Sequence, residues 1–202
     1  MVAVIDYDAG NIRSVEKAVA VLGKQVFVTR KPEEILAADH VILPGVGAFG
    51  DAMEKLHKYE LDSVIREVTA RGTPFLGICL GLQLLFESSE ESEGIKGLGI
   101  LPGKIVRIPE EKDLKIPHIG WNSLSYPKQG RLFQGVPEQS YVYFVHSYYL
   151  QADDAEIVKA TTEYGVVIHA SVERDNIFAC QFHPEKSSET GMQILKNFLN
   201  IQ

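Results

Sequence analysis

Four short apolar runs in the first 78 residues most strongly constrain the fold of this chain. They are VAVI (2–5), VFV (26–28), VIL (41–43) and PFLGI (74–78), and segments with helical spacing of apolar residues separate them. Strands that alternate with helices in this way form a parallel sheet whose two faces are covered by the helices. The pattern therefore predicts an α/β fold.

The helix after the first strand has the clearest pattern. Apolar residues recur at helical spacing from Ile12 to Leu22, which predicts a helix at about 11–22 with Asn11 as its N-cap and Gly23 as its stop. From Gly103 to about Gln181 the pattern changes to short β-rich pieces joined by turns, and MQILKNFL closes the chain as an amphipathic helix. We expect an open, mixed, mostly parallel sheet flanked by helices.

Length and composition limit the class of protein. The 202 residues show no internal repeat or linker, so we expect one domain over residues 1–202. No apolar run approaches the roughly 20 residues of a membrane span, and MVAVIDYDAGN is interpreted as a strand and not as a signal peptide. A cytoplasmic protein is predicted.

The net charge of −7 argues against binding of nucleic acid, and the histidines show no metal-ligand spacing. We therefore expect a small-molecule substrate and no metal or cofactor.

The segment GVGAFG, residues 45–50, matches the G-x-G-x-x-G pattern of dinucleotide-binding loops and lies between a strand pattern and the helical DAMEKL. However, it follows the third strand pattern, and the next strand ends at GIC (77–79), where a dinucleotide site needs a carboxylate for the ribose. The same glycines suit a loop whose backbone N–H groups approach an anion, or a tight turn without a ligand. A neighbouring nucleophile would favour the anion.

Residues 77–81, GICLG, have the form of a nucleophile elbow with cysteine in place of serine. In such an elbow a strained turn lifts the side chain above the sheet, and small flanking residues are needed because backbones crowd the turn. A helix from Leu80 to Phe86 would favour the Cys79 thiolate, and the Leu80 N–H could donate to an oxyanion. The alternative for Cys79 is a small buried apolar residue. The acidic ESSEESE that follows is interpreted as a solvated loop.

A candidate base lies far along the chain, in FACQFHPEKSS (178–188). His183 could take the thiol proton, and Glu185 could hold the imidazole in one tautomer if Pro184 bends the segment. The alternative for His183 is a hydrogen-bonded histidine at a strand end. Cys180 is predicted to lie in the core.

With these residues assembled, the chain resembles the class I, or triad, glutamine amidotransferases, whose signatures it carries in the order PGVG, GICLG and FHPE. Further blocks are similar to the glutaminase subunits of imidazole glycerol phosphate synthases: IDYDAGN (5–11), LPGVGAFGDAM (43–53), GICLGLQLLF (77–86), HIGWN (118–122), YFVHSYY (143–149) and FHPEKSS (182–188). These blocks extend over the whole chain. The resemblance implies a flavodoxin-like fold; one departure is Asp8, where many relatives have glycine.

The resemblance also implies an activity and the residues that perform it. Cys79 would attack the side-chain amide of L-glutamine, form a glutamyl thioester and release ammonia, with His183 and Glu185 as its partners. The oxyanion loop would be formed by Gly45, Val46, Gly47 and Leu80. The residues implied to contact glutamine are Gly47, Gln83, Ser147 and Tyr148.

A protein partner is implied as well. The family forms heterodimers with a (β/α)₈ cyclase subunit, which receives the ammonia and makes imidazole glycerol phosphate and aminoimidazole carboxamide ribonucleotide in histidine biosynthesis. The residues implied at the docking face are Asn11, Trp121, Tyr143 and Lys186; a helix cap, packed aromatics and a solvated lysine are their structural alternatives. Two other functions stay open: a glutaminase of another pathway, and a catalytically silent regulatory subunit with this fold.

Overall fold

The computed structural model describes residues 1–8, 10–111 and 114–202. The strands are β1 (Val2–Ile5), β2 (Val26–Thr29), β3 (His40–Leu43), β4 (Phe75–Ile78), β5 (Ser88–Ser89), β6 (Gly103–Arg107), β7 (His118–Ser123), β8 (Tyr141–His146), β9 (Tyr148–Ala152), β10 (Val158–Tyr164), β11 (Val166–Arg174) and β12 (Ile177–Cys180). The helices are α1 (Ile12–Val21), α2 (Pro32–Leu36), α3 (Phe49–Lys58), α4 (Leu61–Ala70), α5 (Leu80–Leu84) and α6 (Ser188–Phe198). Short 3₁₀ turns lie at Arg131–Phe133, Ala155–Ile157 and Pro184–Lys186.

The central sheet has the strand order β10-β11-β12-β4-β3-β1-β2. The strands from β12 to β2 run parallel to one another, whereas β11 pairs antiparallel with both β12 and β10. The predicted mixed, mostly parallel sheet in an α/β domain is therefore confirmed.

Helices cover both faces of this sheet. All four residues of β1 are buried, and they alternate between two cores: Ala3 and Ile5 face one, Val2 and Val4 the other. Apolar residues of α3, α4 and α5 fill the first core, and those of α1 and α6 fill the second. Because both faces of the sheet are buried, the sequences of these strands are continuous apolar runs. No helix within the described ranges has the length and apolar character needed to cross a bilayer.

Two details of the predicted helices need correction. Asn11 occupies the N-cap position of α1, but its side chain makes no capping hydrogen bond: its backbone is left-handed, with φ 69°, and its amide donates instead to Glu185. Helix α5 ends at Leu84, two residues earlier than expected. It stops because the backbone N–H groups of Leu98 and Ile100 donate to the carbonyls of Leu84 and Leu85, which a longer helix would use itself.

Two smaller sheets accompany the central one. Strand β6 pairs with β5 and β9, and β7 pairs antiparallel with β8 in a two-stranded ribbon. The ribbon is joined to the segment that follows β12, because the backbone N–H of His183 donates to the carbonyl of Tyr143 at 2.9 Å. The ribbon therefore lies over the carboxyl end of the central sheet.

Candidate functional site

Three segments that carry predicted functional residues meet at one edge of the central sheet. Strands β3, β4 and β12 are parallel, and β4 lies between the other two. Their carboxyl ends lead into the glycine loop at 45–47, into Cys79 and into His183. Ligands of open α/β sheets bind at this edge, outside the carboxyl ends of the strands.

Cys79 occupies a strained turn between β4 and α5. Its backbone has φ 54° and ψ −106°, a conformation that non-glycine residues rarely adopt. The turn is held on the strand side, where the Cys79 N–H donates to the Cys180 carbonyl at 2.8 Å, and on the helix side, where its carbonyl accepts from Leu82 at 3.1 Å. The side chain is thus presented at the end of the strand instead of being packed within it.

His183 and Glu185 form a buried pair. The carboxylate can only accept, so His183 Nδ1 donates to Glu185 Oε1 at 2.7 Å, and both side chains are at most 1% exposed. The 3₁₀ turn at Pro184–Lys186 brings Glu185 back to the ring. Asn11 donates to the same carboxylate oxygen. Among the described residues, His183 Nε2 has no hydrogen-bond partner, so this nitrogen can take a proton.

The charge environment favours protonated His183. Burial lowers the pKa of this imidazole, but the interactions with Cys79 and Glu185 outweigh burial and raise the pKa to about 9. An imidazolium beside a cysteine stabilises the thiolate, which is the reactive form. The pair with Glu185 in turn stabilises the imidazolium.

The glycine loop contacts the start of α5. The Leu80 N–H donates to the Gly45 carbonyl at 3.3 Å, so this N–H group is engaged by the loop. Below the loop, the buried Tyr7 hydroxyl donates to the Pro44 carbonyl at 2.8 Å. Burial and the nearby Cys79 raise the pKa of Tyr7, which keeps the hydroxyl protonated as a donor.

A cavity of about 300 Å³ opens beside Cys79. The four residues predicted to contact glutamine all line it, namely Gly47, Gln83, Ser147 and Tyr148. Val46 and Leu80 line it as well. The sequence did not point to the other lining residues, which are Glu91, Pro117, Val145 and His146. A larger depression of about 690 Å³, lined mainly by residues 126–138, contains none of the predicted site residues.

The acidic segment has a structural role beside this cavity, contrary to its interpretation as a solvated loop. Glu91 Oε2 accepts from the Phe49 N–H at 2.8 Å, and Ser92 Oγ accepts from the Gly50 N–H at 2.9 Å. These N–H groups lie at the start of α3 and have no partner within the helix, and a dinucleotide would place its pyrophosphate on them. Because a carboxylate and a hydroxyl already accept their hydrogen bonds, the geometry disfavours the dinucleotide hypothesis for GVGAFG.

Two polar residues that contact Cys79 or Glu185 were missed or given another role. Gln181 is fully buried next to Cys79, and Asn11, predicted at the docking face, also contacts Glu185. The spacing of Gln181 and His183 could have signalled the first, because residues two apart on an extended segment point to the same side. No sequence signal links Asn11 to a residue 174 positions away.

An exposed aromatic patch gathers the other three residues predicted at the docking face. Trp121 and Tyr143 are cross-strand partners in the β7–β8 ribbon with ring centroids 6.2 Å apart, and the Lys186 ammonium lies 6.0 Å from the Tyr143 ring centroid. Trp121 is 50% exposed, and Ile119 beside it on β7 is 59% exposed. Exposed aromatic and apolar side chains clustered in this way are typical of protein interfaces.

Comparison with known proteins identifies the family. The model of the family described as glutamine amidotransferase class-I matches residues 3–201. The chain belongs to the class I glutamine amidotransferases. Curated relatives of this amidotransferase include the imidazole glycerol phosphate synthase subunits HisH of Moorella thermoacetica and Chlorobaculum tepidum, each 53% identical to it. The alignments cover 98% of this chain in both cases and 93% and 98% of the relatives.

Solved structures agree with the fold of this amidotransferase. A structure titled "Structure of PurLQS from Thermotoga maritima" has a TM-score of 0.77 at 20% identity and covers 98% of this chain and 97% of its own. One titled "Crystal structure of glutamine amidotransferase" has a TM-score of 0.76 at 18% identity, with the same coverage. At these identities the likeness concerns the fold alone. Within the described ranges, no group of histidine, cysteine and acidic side chains could hold a metal ion.

Proposed function

We propose that this amidotransferase is the glutaminase subunit of an imidazole glycerol phosphate synthase, with Cys79 as its nucleophile. The observation that carries the proposal is the meeting of a strained cysteine, a buried His183–Glu185 pair and a 300 Å³ cavity at one edge of the sheet. The pathway is inferred from relatives of matching length that carry the name HisH. An active centre of this kind also argues against a silent regulatory subunit.

The first half of the reaction transfers the glutamyl group to sulfur. With the Cys79 proton held on His183 Nε2, the thiolate attacks the side-chain amide carbon of glutamine. The resulting oxyanion would be held by the Leu80 N–H and by a backbone N–H of the loop at Val46. His183 then gives the proton to the amide nitrogen of glutamine, and the C–N bond breaks. Ammonia leaves, and the glutamyl group stays on Cys79 as a thioester.

The second half releases glutamate. Water attacks the thioester carbon while His183 Nε2 accepts one of its protons. The C–S bond then breaks, and His183 returns the proton to the Cys79 sulfur. Glu185 keeps the Nδ1 proton in place throughout, which leaves Nε2 as the nitrogen that exchanges protons with the reacting groups.

The loop geometry explains why we expect the isolated chain to be a weak glutaminase. The Leu80 N–H is engaged by Gly45 at 3.3 Å, so this donor has to be released before it can bind an oxyanion. A (β/α)₈ cyclase that docks on Trp121, Tyr143 and Lys186 would lie against β8, whose Tyr143 carbonyl holds the His183 backbone. Docking and chemistry would then be coupled through the segment that carries His183.

A glutaminase assay with and without a histidine-pathway cyclase and its ribonucleotide substrate tests the proposal. We expect slow glutamate release by the chain alone and a large increase in the complex. In Cys79→Ser, glutamine-dependent product formation should fall by about 1000-fold or more because the hydroxyl is a far weaker nucleophile here. Product formation from added ammonia, which needs no glutaminase, should persist.

Cys180→Ala is the matched control, because Cys180 is buried and lies outside the cavity lining. It should retain glutamine-dependent activity within a few-fold. Normal product formation from glutamine by Cys79→Ser would overturn the proposal, and so would activity only with the synthase of another pathway.

A further inference from the structure

Gln181 is a buried polar side chain in direct contact with the cysteine sulfur. It follows β12, is 0% exposed, and its Nε2 lies 3.7 Å from Cys79 Sγ. Its backbone is fixed by a 2.8 Å hydrogen bond from its N–H to the Ala170 carbonyl. The mechanism derived above makes no use of this amide.

A chain of hydrogen bonds determines which end of the Gln181 amide faces the sulfur. The Tyr148 carbonyl can only accept, so the group 3.1 Å from it must be the nitrogen of Gln83. The same nitrogen lies 3.1 Å from Gln181, where it needs an acceptor, so that atom of Gln181 is the oxygen. The Gln181 NH₂ group is left to point at Cys79.

We propose that Gln181 is a catalytic residue that donates a hydrogen bond to the Cys79 thiolate. The inference rests on the proposed role of Cys79 as nucleophile. Cys79 is only 6% exposed, so a thiolate there receives little hydration and depends on protein donors. The Val145 carbonyl, 3.9 Å away, is an acceptor and cannot supply one. Gln181 supplies an N–H, and Gln83 from the cavity wall keeps it oriented.

Alkylation of Cys79 by iodoacetamide, followed by mass spectrometry from pH 5 to pH 10, tests the proposal without glutamine or cyclase. Gln181→Met keeps the length of the side chain and removes the donor. We expect the midpoint of the pH–rate profile to move to higher pH, and alkylation at pH 7 to slow by about three- to tenfold. Gln181→Glu, which still accepts from Gln83 but adds a negative charge, should move the midpoint further.

Ser171→Ala is the matched control, because Ser171 is 0% exposed and its hydroxyl donates to the Ala179 carbonyl and not to Cys79. Its profile should match that of the unaltered protein. A profile unchanged in both folded Gln181 variants, as judged by circular dichroism, would overturn the role of Gln181. That result would leave the Cys79→Ser assay untouched, whereas a failed glutaminase assay would not affect the alkylation profile.

Discussion

At Cys79 the strained backbone is tolerated because its glycine neighbours let three chain segments approach closely. A Cβ on Gly81 would lie 1.9 Å from the Leu43 carbonyl oxygen, and one on Gly77 would lie 2.7 Å from the Gly81 oxygen. Neither glycine has a positive φ, so close approach and not backbone conformation requires them. The prediction that crowded backbones demand small residues in GICLG is thus confirmed.

Gly81→Ala should lower the free energy of unfolding by about 3 kcal/mol, because the backbone atom it meets can move only if β3 and α5 separate. Glutaminase activity should fall as well, since the same movement displaces Leu80 and Cys79. Gly94→Ala is a matched control: φ is +82°, yet its Cβ would meet nothing within 4 Å. It should cost only about 1 kcal/mol of backbone strain. Equal losses in urea unfolding would contradict the packing argument.

Asp8 shows how a departure from the family pattern is accommodated at one residue. Its φ of 62° is the left-handed conformation that glycine adopts without cost. The Asp8 carboxylate accepts hydrogen bonds from Arg30 and Tyr59, and these contacts, Tyr59 first, lower the pKa of Asp8. The first loop therefore keeps a glycine-like backbone and gains a charged contact with Arg30.

At the scale of elements, two neutral histidines join the β7–β8 ribbon to the cavity wall. His146 Nδ1 donates to the Tyr148 carbonyl at 2.8 Å, so its Nε2 accepts from His118 Nδ1 at 3.1 Å. The His118 ring also stacks on Phe144 and Tyr164, with centroids 4.8 and 3.9 Å away. Burial lowers the pKa of His146 to about 3 and that of His118 to about 4.

Acid should therefore destabilise the protein before its carboxylates titrate. In the unfolded chain both histidines bind protons below about pH 6.5, whereas in the folded chain they stay neutral, so stability is complete above pH 6.5 and falls as the pH drops. Between pH 7 and pH 5 we expect a loss of about 2–4 kcal/mol in urea unfolding. His183, whose pKa is raised to about 9, contributes fully below pH 6.5 and loses its contribution above that pH, so it offsets only a small part of the loss between pH 7 and pH 5.

His118→Phe isolates the cause, because it keeps an aromatic ring between Phe144 and Tyr164 and removes one titrating group. It should reduce the pH dependence between pH 7 and pH 5, but by less than half, because burial lowers the pKa values of His40 and His169 as well. Parallel curves for the variant and the unaltered protein would show that the histidine pair is not responsible.

At the scale of the whole molecule, the exposed patch and the buried centre are adjacent parts of one structure. Tyr143 presents its ring beside Trp121, while its carbonyl holds the backbone of His183. Its N–H also donates to the Ser187 hydroxyl oxygen at 2.9 Å, which ties the ribbon to the start of α6. A partner bound to this patch would therefore act on the segment that carries His183 and Glu185.

Trp121→Ala should weaken binding of the proposed cyclase partner by about 30-fold, or roughly 2 kcal/mol, because a half-exposed tryptophan in such a patch is the kind of residue that dominates interface energy. Val167→Ala is the control, since Val167 is 56% exposed but lies on β11 in the central sheet. Isothermal titration calorimetry measures both. A dissociation constant changed less than twofold by Trp121→Ala would remove this face from the proposed interface.

Many elements of the fold could be predicted because the local pattern of apolar residues and glycines indicates them directly. Buried parallel strands appear as apolar runs, α1 appears in its helical spacing, and the elbow appears in its two glycines. The errors came where distant segments compete for the same groups. Asn11 bonds Glu185 instead of capping α1, and Glu91 reaches the start of α3 instead of standing in solvent.

Short-range spacing and motif chemistry specify the α/β class, the mixed sheet, the family resemblance and the candidate residues, so these follow from the amino-acid sequence alone. The folded structure was needed to show that Leu80 is engaged by Gly45, that Gln181 faces the sulfur and that His118 and His146 stay neutral. Each of these depends on contacts between residues that lie far apart in the sequence, 28 positions in the case of His118 and His146. Burial and partner geometry, which no local pattern encodes, set those contacts.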